Sequence, residues 1–291
     1  MIKRLVIIGL GLIGGSLALA ARNRGLSAEV VACGRSVDKI KPAVDLGMVD
    51  RVAESWQEAV TGADMVVLAA PVNVLEENMR TIAPWLGAQT ILTDVGSTKG
   101  SIVEAAERVF GAVPPGFVPG HPIAGTEYSG FQHALEDLFV DHKVILTPHQ
   151  QTDPAALARV ERLWTAVGAE VVEMDPQEHD RVLAATSHAP HMLSYALVKM
   201  LADRQDHQAI FDFAAGGFRD FTRIASSDPV MWRAISMANH GEITRLLVEY
   251  QALLGEMIER LDQQDGDYME QLFRQAREAR ETHLLKTGKA E

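Results

Sequence analysis

With 291 residues, 47% of them hydrophobic, 23% charged and only 12 proline, the chain has apolar material for two globular domains and none of the bias of a disordered tail. Its 39 acidic residues outnumber 27 basic ones, a formal net charge of -12 with no strongly basic block, which argues against nucleic acid as a partner. An anionic ligand would have to be met by a few cations gathered locally.

From Ile2 to about Met174 short β-branched runs alternate with helical patterns, which predicts a mostly parallel sheet flanked by helices. The predicted strands are Leu5 to Ile8, Glu29 to Cys33, Met65 to Ala69, Thr90 to Thr93, Gly116 to Pro119, Lys143 to Thr147 and Glu170 to Glu173. Most are short and apolar, as strands covered on both faces should be. Lys3 and Arg4 ahead of the uncharged stretch Leu5 to Ala21 also fit a secretory leader, but the glycines inside that stretch have their own explanation. No other apolar run is long enough to span a bilayer, so no membrane association is expected.

Gly9-Leu10-Gly11-Leu12-Ile13-Gly14 follows the first strand and opens a helical pattern, the context in which a GxGxxG spacing signals a dinucleotide. Gly9 allows the tight turn, Gly11 lets backbone approach a pyrophosphate, and Gly14 lets the helix pack on the strand; Leu12 and Ile13 sit at the helix start that faces the phosphates. NAD sites place an acid at the end of the second strand, yet here Cys33 runs into Gly34-Arg35-Ser36. A guanidinium and a hydroxyl suit a 2′-phosphate, so NADP is favoured over NAD. Ala70 and Pro71, at the end of a later strand, are expected beside the nicotinamide ribose. Cys33 is the single cysteine, which excludes an internal disulfide and fits a reducing, cytoplasmic setting.

Two further loops end strands at the edge where open α/β sheets bind ligands: Asp94-Val95-Gly96-Ser97-Thr98-Lys99-Gly100 and His121-Pro122-Ile123-Ala124-Gly125-Thr126-Glu127. Nicotinamide chemistry needs a group that manages a hydroxyl or amine proton, and His121 is the candidate. After Asp175-Pro176 strands vanish and helical spacing continues, predicting domains at 1–174 (dinucleotide binding) and 175–291 (all-helical). Pro190 should interrupt a helix, Gly216-Gly217 should mark a turn, and Asp228-Pro229 should start a helix. Ile243 to about Leu285 reads as one amphipathic stretch suited to a second subunit or to its own domain, and Lys286 to Glu291 as a tail. His188 and His191 share a helix face but lack a third ligand, so no metal is expected.

The fingerprint, the Asp94 to Lys99 loop, the Gly120 to Glu127 loop, Ser187-His188-Ala189-Pro190-His191 and Gly216 to Ala225 occur in an order that resembles the prephenate/arogenate dehydrogenase family of tyrosine biosynthesis over nearly the whole chain. The resemblance implies an α/β dinucleotide-binding domain followed by a helical dimerisation domain, a homodimer through the C-terminal helices, and oxidative decarboxylation of a small anionic cyclohexadienol with hydride transfer to NAD(P). It implies that His121 accepts the hydroxyl proton and that Ser97, also near the cofactor, bonds the same hydroxyl. It further implies that Arg223 binds a substrate carboxylate, that His191, His188 and His179 line the site, and that Glu127 sits at its mouth. No chorismate mutase region or regulatory module is recognisable, so a single activity is expected. Other readings of the same residues are a β-hydroxyacid dehydrogenase or imine reductase, or a dinucleotide-binding sensor without turnover.

Overall fold

A computed structural model describes residues 1–126 and 128–283. By contacts the chain divides into two compact units, Met1–Glu242 and a second from Ile243 onward. The sheet of the first unit contains β1 (Ile2–Ile8), β2 (Ser27–Cys33), β3 (Arg51–Val52), β4 (Met65–Leu68), β5 (Ile91–Asp94) and β6 (Phe117–Val118). Its order is β3-β2-β1-β4-β5-β6 and every pairing is parallel. Reversal of strand order between β1 and β4 opens a crevice at the carboxyl ends of those strands. Leu5, Val6, Ile7 and Ile8 are all buried, with alternate side chains entering two different cores. Burial on both faces is what a β-branched strand without alternation encodes, each such side chain contributing about 1.5–3 kcal/mol. The stretch compatible with a leader is thus the central strand and the first helix.

Helices α1 (Leu12–Asn23), α2 (Val37–Ile40), α3 (Pro42–Asp45), α4 (Trp56–Val60), α5 (Val72–Ile82) and α6 (Gly100–Phe110) make the crossovers. The strand expected over 116–119 stops at Val118, and after Pro119 the chain enters a second sheet of β7 (Gly120–Pro122), β8 (Lys143–Leu146) and β9 (Glu170–Glu173). There β7 runs antiparallel to β8, and β8 parallel to β9. Helix α7 (Pro154–Ala166) covers this sheet, its first turn capped by the Asp153 carboxylate.

Beyond β9 every element is helical: α8 (Pro176–Leu183), a π-helical turn at Ala184–His188, α9 (Ala189–Ala202), α10 (His207–Asp212), α11 (Gly216–Thr222) and α12 (Pro229–Ala238). Asp175 caps α8 and Asp228 caps α12, each followed by proline at the first helical position. The interruption expected at Pro190 falls just upstream of it, in the π turn; proline's missing N–H removes one bond that a regular ladder would need. Gly216 and Gly217 do not mark a turn: they are the first residues of α11. The 3-10 turn Arg223–Ser226 follows, tied to α9 by Ser194 Oγ donating to Phe221 O (3.1 Å) and Tyr195 Oη donating to Ser227 O (2.6 Å).

The amphipathic stretch expected from Ile243 onward is two helices, α13 (His240–Asp262) and α14 (Gly266–His283), broken where Gln264 takes φ 54°. Asp265 caps α14 by accepting from Tyr268 N (3.0 Å), and the Arg260 guanidinium lies 5.0 Å over the Tyr268 ring. Val248, Ile258, Leu261 and Phe273 are all exposed on these two helices. Among the described residues no helix is long and apolar enough to cross a membrane. The expected tail lies outside the described residues.

Candidate active site

The GxGxxG residues lie between β1 and α1. Gly9 adopts φ 100°, and a Cβ there would stand 2.7 Å from Ala69 O, so only glycine fits. A Cβ on Gly14 would come 2.2 Å from Gly9 O and 2.9 Å from the Ala69 Cβ, which is why α1 can approach the strands closely. Gly11 is the N-cap of α1 with no side-chain cap, leaving the amides of Leu12, Ile13 and Gly14 free of a capping side chain at the positive end of the helix. A crevice of about 260 Å³ opens beside them, lined by Gly9, Gly11, Gly34, Arg35, Trp56, Ala70 and Pro71 among others. Uncapped amides facing open space fit the pyrophosphate of a dinucleotide.

Arg35 and Ser36 are exposed at the end of β2. Asp38, the nearest acid in sequence, is drawn to Lys41 Nζ at 3.2 Å rather than standing alone. Trp56 and Asn78, which sequence reasoning passed over, also line the crevice. Neither lies in a motif, so only the fold brings them to the glycine loop.

Beyond the crevice, Asp94 ends β5 fully buried. Its carboxylate accepts from Gly96 N (2.7 Å), Gly120 N (3.2 Å) and Lys99 Nζ (2.5 Å). Lys99, equally buried, also donates to Gly120 O at 2.6 Å. Burial pushes the Asp94 carboxyl up and the Lys99 ammonium down, and each is opposed by the partner's charge. Gly120 is thereby gripped through both its N–H and its C=O, and the next residue is His121.

His121 is half-buried on β7, and its Nδ1 lies 2.9 Å from His179 Nε2. No protein group among the described residues bonds its Nε2. Burial, competition for a proton with the neighbouring His179, the Lys99 charge and competition with His188 hold it well below the usual histidine range, so the ring is neutral at pH 7. Ser97, half-buried in the preceding loop, has an Oγ with no protein partner among the described residues.

His179 and His188 are fully buried. His179 Nδ1 lies 2.8 Å from Asp180 Oδ1, so both its ring nitrogens are engaged by protein and none is left for the substrate contact the sequence suggested. His188 Nδ1 lies 3.1 Å from Asn239 Nδ2, and burial lowers His188 to about 4. His191 is half-buried, bonded through Nδ1 to Ser187 O (2.8 Å) and stacked on Trp232 at 3.7 Å. The Trp232 indole N–H is buried without a hydrogen-bond partner among the described residues. Arg223 is exposed and makes no ion pair among the described residues, with Asp220 or otherwise; its charge acts on His191 and helps keep that ring neutral. Glu127, expected at the mouth, lies outside the described residues. Among the described residues no group of three or more His, Cys, Asp or Glu could hold a metal.

A dinucleotide crevice at the sheet edge, a half-buried neutral histidine, and a serine hydroxyl and an arginine without protein partners among the described residues define a nicotinamide-dependent oxidoreductase. Two family models match the chain, described as "Prephenate dehydrogenase, nucleotide-binding domain" over residues 17–173 and "Prephenate dehydrogenase, dimerization domain" over residues 175–275. The chain is 35% identical over 281 residues to the cyclohexadienyl dehydrogenase of Zymomonas mobilis, covering 96% of this chain and 95% of that one. It is 36% identical over 279 residues to the prephenate dehydrogenase of Bacillus subtilis, covering 95% and 75%. The prephenate dehydrogenase of Aquifex aeolicus, solved with hydroxyphenyl propionate and NAD+, superposes with a TM-score of 0.89 at 33% identity, covering 96% of this chain and 98% of that one. Synechocystis arogenate dehydrogenase gives 0.83 at 29% identity, covering 97% and 100%. The chain belongs to the prephenate dehydrogenase family.

Proposed function

We propose that the protein oxidises and decarboxylates prephenate or arogenate, with NADP favoured as hydride acceptor, in the cytoplasm and as a homodimer. The observation that carries this reading is the neutral His121, its Nε2 unbonded by protein among the described residues, together with a Ser97 hydroxyl that likewise has no protein partner among them, both at the carboxyl edge of the sheet where the nucleotide crevice opens. Gly9, Gly11, Leu12, Ile13 and Gly14 would hold the pyrophosphate, Ala70 and Pro71 the nicotinamide ribose, and Gly34, Arg35 and Ser36 the adenosine end with its 2′-phosphate. Bound nicotinamide supplies the hydride acceptor.

The protein's own work is positioning and proton transfer. Ser97 Oγ holds the substrate hydroxyl in line, and its proton passes to His121 Nε2 as the carbinol hydrogen departs as hydride. The bond from ring to carboxylate then breaks, its electron pair completes the aromatic ring, and carbon dioxide leaves. Arg223 offers a planar guanidinium to a substrate carboxylate. His191 against Trp232 forms a flat wall for the ring, and His188 backs the Ser97 loop.

Residues 1–174 would form the cofactor half, and residues from 175 onward the substrate and dimer half. Homodimerisation is supported by the apolar side chains left exposed on α13 and α14 in a single chain. The test is a two-by-two assay of purified protein, prephenate or arogenate against NAD or NADP, following reduced nicotinamide. Turnover in any pair supports the reaction, and the ratios of kcat/KM decide substrate and cofactor. Bound cofactor without turnover in all four overturns it.

A further inference from the structure

Beneath His121 runs a linear chain of side chains ending on a helix N-terminus. His121 Nδ1 lies 2.9 Å from His179 Nε2, and His179 Nδ1 lies 2.8 Å from Asp180 Oδ1. Asp180 Oδ1 also accepts from Lys99 N at 2.7 Å, and Oδ2 from Gly100 N at 2.9 Å, where α6 begins. We infer that His179 and Asp180 are positioning residues that lock His121 in the tautomer with hydrogen on Nδ1, leaving Nε2 bare toward the substrate; the inference rests on reading His121 as the proton acceptor.

A count of hydrogens along this chain fixes the tautomer. Two backbone amides and the positive end of α6 stabilise Asp180 as a carboxylate, and these bonds with that to His179 hold it below the usual carboxylate range despite burial. A carboxylate has no hydrogen to give, so His179 Nδ1 carries one. His179 has no exposed surface, and burial with the Lys99 charge keeps it neutral, so its Nε2 is a lone pair. Only an N–H on His121 Nδ1 can bond that lone pair; the other tautomer would set two lone pairs face to face at 2.9 Å. A neutral imidazole has one N–H, hence His121 Nε2 is bare.

Asn239, at the C-cap of α12, supports the same arrangement. Its Nδ2 has two hydrogens and two acceptors, Asp180 O at 2.8 Å and His188 Nδ1 at 3.1 Å. The amide thus ties the backbone of the terminal acid to the histidine behind Ser97. When His121 takes a proton, the resulting cation is linked through His179 to the Asp180 charge, the logic of an acid and histidine pair lengthened by one ring. The other ionisable groups around His121 are Lys99 from the loop after β5 with its partner Asp94 at the end of that strand, and His188 from the π turn.

The test is a two-bond nitrogen to carbon-bound-hydrogen NMR spectrum of the full chain labelled with 15N-histidine, the His121 signal being the one lost in His121→Asn. At pH 7 His121 is expected as the Nδ1–H tautomer. Asp180→Ala would remove the acceptor that keeps a hydrogen on His179 Nδ1, so both rings become free to reverse and His121 is expected to shift toward the Nε2–H tautomer. Its kcat should fall by about 10³–10⁴, since losing the acid of a serine-protease triad costs about 3 × 10⁴, while cofactor binding and KM stay close to wild type. A wild-type His121 that is Nε2–H overturns the inference, as does Asp180→Ala retaining kcat within about tenfold. If that variant does not fold, the wild-type spectrum alone decides. An Nδ1–H signal in a protein that turns over neither substrate upholds the tautomer and overturns the reaction.

Discussion

The ammonium of Lys99 and the carboxylate of Asp94, neither exposed at all, close a 2.5 Å ion pair whose remaining bonds clamp both polar atoms of the Gly120 backbone. The pair therefore stitches the end of β5 to the start of β7 and fixes where His121 can stand. Removing one partner strands a charge in the core, which costs about 3–5 kcal/mol. Lys99→Met is expected to lower the unfolding free energy by that amount, read from the shift of the urea midpoint. A change below about 1 kcal/mol would mean the charges are compensated elsewhere.

His121→Asn should leave cofactor binding intact and lower kcat by about 10²–10⁴, the usual yield of positioned acid–base catalysis. Fluorescence titration with NADP and steady-state rates separate the two effects. Wild-type turnover in this variant would remove His121 from the chemistry.

The pH profile follows from the direction of its shift. An unperturbed histidine would make activity rise through about pH 6.5. Burial, the adjoining imidazoles and the Lys99 charge instead hold His121 well below that value, so it is already deprotonated at neutrality. The expected kcat/KM is flat from about pH 6.5 upward until some other group titrates, with its acid limb displaced below that.

Stability should fall in acid for a related reason. His188 has its folded value near 4, so between 6.5 and 4 the unfolded chain binds a proton that the folded chain refuses. The full contribution is present above 6.5 and drains away as pH drops, roughly 3 kcal/mol by pH 4 for this nearly buried ring. Urea unfolding at pH 7 and 4.5 reads it. Equal free energies would contradict a neutral buried His188.

Two glycine substitutions should part company. Gly14→Ala drives a methyl to 2.2 Å from Gly9 O and must displace α1, lowering thermal stability and cofactor affinity together. A Cβ on Gly11 meets nothing within 4 Å, so Gly11→Ala should keep the melting temperature and raise only the KM for the dinucleotide. At the far end of the crevice, Arg35→Ala should raise the KM for NADP by about 10–100-fold while leaving NAD nearly unchanged, the loss of one charge-assisted contact.

Much of this was legible in the residue order because the signals were local. The glycine spacing, the apolar strands and the proline-led helix starts at Pro154, Pro176 and Pro229 each declare themselves within a few positions. β3 was missed because two residues carry no period, and β7 because its departure to another sheet is decided by pairing with β8. Asp180 and Asn239 were missed for a different reason. Each is a lone polar residue in a helical pattern, and partners 51 to 81 positions away give it meaning. His179 was assigned to the ligand because sequence shows a histidine but not which of its nitrogens are already engaged.

The π turn at Ala184–His188 has a consequence for how the helical segment tolerates change in length. On an unbroken α-helix, His179 and His188 would project on faces about 180° apart; widening a single turn swings the later segment round so that both rings come near His121. Deleting one residue in this stretch would give a more regular helix and rotate everything downstream by about 100°. Loss of one alanine here would thus dismantle the site while improving the hydrogen-bond ladder that carries it.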